Sequence, residues 1–132
     1  YFGLVGGYHE IDTPANNEFT DLYRDRYDSY PTFQTWYQGA RTLLRAVGET
    51  GTKDTDTIRD QLEGHEAVPN LFGTGETFRA CDNRLSVPSV TMQGRPAAEV
   101  SKEEMNFFEV VNINGNVDEI MYPCDRIACR NQ

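Results

Sequence analysis

The stretch PTFQTWYQGARTLLRAVGET, residues 31–50, decides how the chain is built. Its apolar side chains Phe33, Trp36, Tyr37, Ala40, Leu43, Leu44 and Val47 recur at steps of three and four, the spacing that collects them on one stripe of an α-helix. Pro31 suits a first turn, where its missing N–H leaves no bond unmade, and Gly48 and Gly51 suit the end. Such a stripe is expected to lie against a large apolar surface, which makes this helix the central packing element.

Working outward, Phe2 to Gly7 is short, apolar and bounded by glycine, as a buried strand or strand end would be. After a polar loop ending at Pro14, Asn16 or Asn17 is expected to cap a helix running to about Asp28, with Phe19, Leu22, Tyr23 and Tyr27 on its inner stripe. Asp54 caps a short helix carrying Ile58 and Leu62 that stops at Gly64. Glu76 to Asp82 alternates like a half-buried strand, and Val87 to Met92 reads as an edge strand because of Pro88. Phe107 to Ile113 is rich in strand formers. Asn114-Gly115 then predicts a tight hairpin turn, with Val117 to Met121 as the returning strand.

A chain of 132 residues with 38% apolar and 25% charged residues fits one globular domain. Twelve basic against twenty-one acidic residues leave a formal charge of −9, which repels phosphate backbones and anionic lipid. Nucleic acid and membrane surfaces are therefore not expected as partners. Apart from Lys53 and Lys102 every basic residue is Arg, and such an acidic surface stays hydrated in high salt. The chain opens on Tyr1 without a signal pattern, so a processed chain or an excised piece of a longer one is expected.

Three cysteines, Cys81, Cys124 and Cys129, fit one pair plus a free thiol or a pair to a segment outside the chain. A structural disulfide in an oxidising compartment is the leading reading, with free buried thiols as its alternative. No zinc-ligand spacing surrounds them. His9, Glu10 and Asp12 are of types that bind metal or share protons, and a metal-dependent hydrolase would use them. Ligands must converge in space, however, and neighbours in one loop rarely do, so the loop reads as solvated. Gly3, Gly6 and Gly7 lack the helix that a dinucleotide-binding turn requires. No metal, no cofactor and no catalytic constellation is implied. The Pro-led helix start is different, since free N–H groups and ring edges meet there, as at the wall of a small-molecule cleft. Thr32 and Phe33 are the candidate ligand-binding residues, while Trp36 and Tyr37 read as core.

The run NNEFTDLYRDRYDSYPTFQTWYQGARTLLRAVGETGTKDTDTIRDQLEG, residues 16–64, resembles the late part of the solute-binding proteins of branched-chain amino acid and amide ABC transporters. The shared features are the bend from Tyr27 to Pro31, the helix core from Tyr37 to Leu43 and the short helix from Asp54 to Leu62. FGTGETFRACDNR is similar to that family's following strand and turn, with Arg84 where Gln is usual, and FFEVVNINGN is similar to its last hairpin. The resemblance implies an α/β fold: part of a type I periplasmic binding protein lobe, with helices packed on a mixed sheet and a C-terminal β-hairpin. Residues 1–132 would form a single region, the C-terminal part of a two-lobed protein. It implies a non-enzymatic, extracytoplasmic component of an importer, in the periplasm or lipid-anchored at the cell surface, that closes on an amino acid or amide and delivers it to a membrane permease. A ligand-sensing receptor domain of the same fold is the alternative. It also implies a bridge from Cys81 to Cys124 or Cys129, and a ligand contact at Thr32 or Phe33.

A lobe cut from its partner exposes sheet edges and apolar faces, so self-association or partial disorder is expected of this chain. Sedimentation velocity at high concentration checks this: a concentration-dependent dimer or an expanded species is the expected result, and a compact monomer contradicts it.

Overall fold

A computed structural model describes residues 2–4, 8–32, 34–66, 68, 71–73 and 77–127. Strand β1 (Phe2–Leu4) is followed by helices α1 (Pro14–Tyr27), α2 (Gln34–Thr50) and α3 (Thr55–Leu62). Then come β2 (Ser89–Gly94), β3 (Phe108–Asn114) and a single turn of helix, α4 (Val117–Ile120). The sheet order is β1-β2-β3, and both pairings are antiparallel. The expected mixed sheet is therefore an antiparallel one among the described strands, with a parallel bridge between Glu63 and Phe78 outside it.

Local chemistry sets the helix limits. Thr13, not Asn16 or Asn17, caps α1: its hydroxyl accepts from the Asn16 N–H, and Pro14 occupies the first helical position. Asp28 ends α1 in the left-handed conformation at φ 49°, its N–H returning to the Arg24 carbonyl. Pro31 then restrains Tyr30 from helical geometry, which fixes the bend. Gly51, at φ 64°, closes α2 with its N–H on the Val47 carbonyl, and Asp54 caps α3 as expected.

The core lies on one face of the sheet. Val90 and Met92 alternate inward from β2 and meet Ile11, Leu71 and Phe72, with Phe19 of α1 and Phe108 and Val110 of β3 around them. β2 is the central strand instead of an edge, and it can be so because Pro88 falls just before the ladder begins. The 76–82 segment forms isolated bridges through Thr77 and Phe78 rather than a strand; residues 74–76 lie outside the described set. The C-terminal hairpin pairs β2 with β3 through a long connection, not across Asn114-Gly115. Beyond that dipeptide the chain turns into α4, with the Asn114 side chain accepting from the Asn116 N–H and donating to Glu119.

α2 overturns the central expectation. Its apolar stripe exists but faces out: Trp36 is 79% exposed and Leu44 68%, with Leu43 also exposed. The buried positions step by four along the opposite face, Gln34, Gln38, Thr42 and Ala46. Small and polar groups suit that side because the chain crosses close to it: the Thr42 hydroxyl accepts from the Val68 N–H at 2.9 Å and donates to the Gln38 carbonyl. Cys81 is bonded to Cys124, tying the segment after α4 to the turn after Phe78, while Cys129 lies outside the described residues. Closing a loop across a separation of 43 restrains the unfolded chain by about 4 kcal/mol on the chain-entropy account.

The Gln38 amide is buried with no hydrogen-bond partner for either polar atom among the described residues. Replacing it by an apolar group of similar size removes a desolvation cost of about 1–3 kcal/mol. Gln38→Leu is expected to raise the urea midpoint, and Leu44→Gln to leave it within about 0.5 kcal/mol of the parent. The opposite ranking would return the apolar stripe to the core.

Candidate functional site

Loop 8–13 is tied by side-chain bonds to α1 and to the sheet, and by ring contacts to the α1–α2 bend at 28–32. The loop turns main-chain carbonyls inward, and Asn16 answers them. Its buried amide nitrogen donates to the carbonyls of Tyr8, His9 and Ile11 at 3.0, 3.1 and 2.8 Å. Thr13 adds a second tie, donating to the Leu71 carbonyl at 2.8 Å. Gly73, at φ 73°, lets the neighbouring chain approach, since a Cβ there would meet Thr13 Cγ2 at 3.0 Å.

The loop is fastened to the sheet as well. The Tyr8 hydroxyl lies 3.2 Å from the carbonyls of Met105 and Phe108, to which it donates, and it accepts from the Phe108 N–H. Burial, and after it the Glu10 charge, hold this phenol above its ordinary pKa against the lowering effect of the Phe108 bond. Glu10 pairs with Arg95 at 2.6 Å, and Arg95 donates in turn to the Phe108 carbonyl. The hydrogen bond that Arg95 donates to Glu10 raises the Arg95 pKa above its ordinary value.

This arrangement separates the three residues that a metal site would need. His9 packs between the rings of Tyr8 and Tyr30, Glu10 is turned to Arg95, and Asp12 is exposed and accepts from Asn17. Among the described residues no group of three potential ligands converges. Thr32 is exposed at the outer edge of the bend, next to buried Pro31, and Phe33 lies outside the described residues. Tyr37 is not simply core: it is half-buried, stacked on Phe19 at 4.2 Å.

Two further concavities lie along α2 and α3. One, of about 270 Å³, is lined by Thr42, Arg45, Glu49, Gln61 and His65. Within it Glu49 accepts from Arg45 at 2.6 Å and from Gln61 at 3.0 Å. The other, of about 220 Å³, is apolar and formed by Leu43, Ile58, Leu62 and Phe78. Sequence reasoning missed Asn16, Tyr30 and Arg95. By its local sequence Asn16 suits only a cap, and nothing local links Glu10 to Arg95, which is 85 residues away.

The sequence profile described as periplasmic binding protein matches residues 1–99. Among solved structures, the chain is similar to an amino acid ABC transporter substrate-binding protein from Pseudomonas fluorescens Pf-5, with a TM-score of 0.68 and 25% identity. The likeness covers 81% of this chain and 28% of that one, so this chain spans well under a third of the length of the solved relative. No curated protein matches.

The Asn16 tie makes a direct prediction. Asn16→Ala leaves the inward carbonyls without their donor and is expected to cost about 1–3 kcal/mol in urea unfolding. Asn16→Asp, which cannot donate when ionised, is expected to cost at least as much at pH 7 and to recover in part when acid protonates it. A neutral Asn16→Ala would remove the tie from the account.

Proposed function

The chain belongs to the periplasmic binding protein family, and we propose that it is the C-terminal part of the extracytoplasmic solute-binding component of an ABC importer. The reading rests chiefly on the family match over residues 1–99, and the likeness to a solved substrate-binding protein for amino acids adds to it. In this proposal the ligand is a branched-chain amino acid or a related small amide, narrowed by the resemblance of residues 16–64. Two lobes close on it about a hinge, the closed form being selected by contacts from both sides. Thr32 and Phe33 face the ligand, and the permease of the importer is the partner that receives it. No covalent chemistry is involved, and anchoring through lipid belongs to sequence preceding this chain.

The outward stripe of α2 supports the two-lobed reading. Trp36, Leu43 and Leu44 need cover, and further polypeptide of the same protein supplies it. The exposed hydroxyl of Thr32, at the open end of the same helix, suits a position that contacts a small molecule and not the core.

Isothermal titration of the protein carrying this chain with its adjoining sequence tests the proposal, using leucine, isoleucine, valine and short aliphatic amides. Binding of at least one is expected, weakened about tenfold by Thr32→Ala, which corresponds to loss of one hydrogen bond of about 1.4 kcal/mol. Absence of heat with every ligand contradicts the assigned ligand class, and binding unaffected by Thr32→Ala contradicts the assigned residue.

A further inference from the structure

Five side chains from four parts of the chain stand in one column beside the bend. The Arg24 guanidinium of α1 lies 4.6 Å from the centre of the Tyr30 ring. Tyr30 faces His9 at 4.3 Å with the planes 37° apart, and His9 meets Tyr8 at 4.5 Å. Tyr8 in turn meets Phe108 of β3 edge-on at 6.3 Å. The column thus joins α1, the bend, loop 8–13 and the sheet. His9 is its one member that changes charge between pH 5 and 8.

We infer that His9 is an acid-sensitive latch: as a neutral ring it closes loop 8–13 onto the α1–α2 bend, and as an imidazolium it releases the bend that carries Thr32. The groups facing it are Arg24 from α1, Tyr30 from the bend, Tyr8 and Glu10 from its own loop, and the Glu104 carbonyl from the β2–β3 connection. Half-burial removes water from a charge placed there, and Arg24 repels it. Glu10 and the Glu104 carbonyl favour the charge, but Glu10 is engaged by Arg95 at 2.6 Å. A ring face attracts a cation, yet the Tyr30 ring is already in contact with the Arg24 guanidinium.

Burial, the largest of these effects, leaves the His9 imidazole below its ordinary value. A folded pKa below the unfolded one means that the contribution of the column is complete above about pH 6.5 and is lost as pH falls towards the folded value. The latch rests on this column of contacts and on the burial of His9 within it, and stands whether or not the ligand reading above is right.

An NMR titration of the His9 imidazole in the full chain tests it, combined with amide hydrogen exchange of residues 8–13 and 28–32 corrected for intrinsic rates. The expected midpoint lies below about 6.5. Protection of the loop and the bend falls together between about pH 6.5 and that midpoint, by up to about tenfold per pH unit, and levels off below it. In His9→Phe, which keeps a ring but cannot titrate, that loss is absent. Arg24→Gln, which removes the like charge without touching the loop, raises the His9 midpoint. A wild-type midpoint at or above 6.5, an acid loss retained in His9→Phe, or an unmoved midpoint in Arg24→Gln overturns the latch.

Discussion

A helix with two unlike faces can bury only one of them against a given neighbour, and the rest of this structure follows from which face α2 buries. It turns Gln34, Gln38, Thr42 and Ala46 inward and leaves Trp36, Leu43 and Leu44 outside. On that inner face Val68 comes close to the helix, and the Thr42 hydroxyl bonds its backbone there. The outer stripe keeps the larger part of its hydrophobic free energy unrealised. Covering what remains exposed of a leucine such as Leu44, 68% of its surface, is worth about 1–2 kcal/mol, so the stripe favours a further apolar layer.

The apolar core proper is built elsewhere, between loop 8–13 and the face of β2. Ile11 reaches it only because the surrounding carbonyls are satisfied by Asn16 and because Thr13 bonds Leu71. The same loop carries Tyr8 and His9 into the column beside the bend, and Glu10 to Arg95. One well-bonded loop thus sets the core, the sheet contact and the position of the bend at which α2 begins.

Much of this was legible in the residues and the failures are specific. Periodicity located α2 and its stripe, Gly51 its end, and Asp54 the cap of α3, because these are local effects. Periodicity is silent on direction: an apolar stripe has the same pattern whether it faces the present core or a layer supplied by other chain. Asn114-Gly115 has the composition of a hairpin turn, but the Asn114 side chain bonds forward into α4, and β3 had already found its partner in β2. At the site, the Pro-led pattern places Thr32 in the first turn of α2, whereas α2 begins at Gln34 and Thr32 lies in the bend before it. The Asn16 bonds, the Arg95 pairing and the Tyr30 stack were not legible, since each joins positions whose approach depends on the finished fold.

The claim on which the account turns is the outward direction of the α2 stripe, and Trp36, the single tryptophan of the chain, reports it. Acrylamide quenching and the emission maximum of Trp36 in the dilute, monomeric chain measure its contact with water. Quenching close to that of free tryptophan, with an unshifted emission, is the predicted result. A blue-shifted, poorly quenched Trp36 in the 132-residue monomer would contradict the orientation of α2 and the reading built on it.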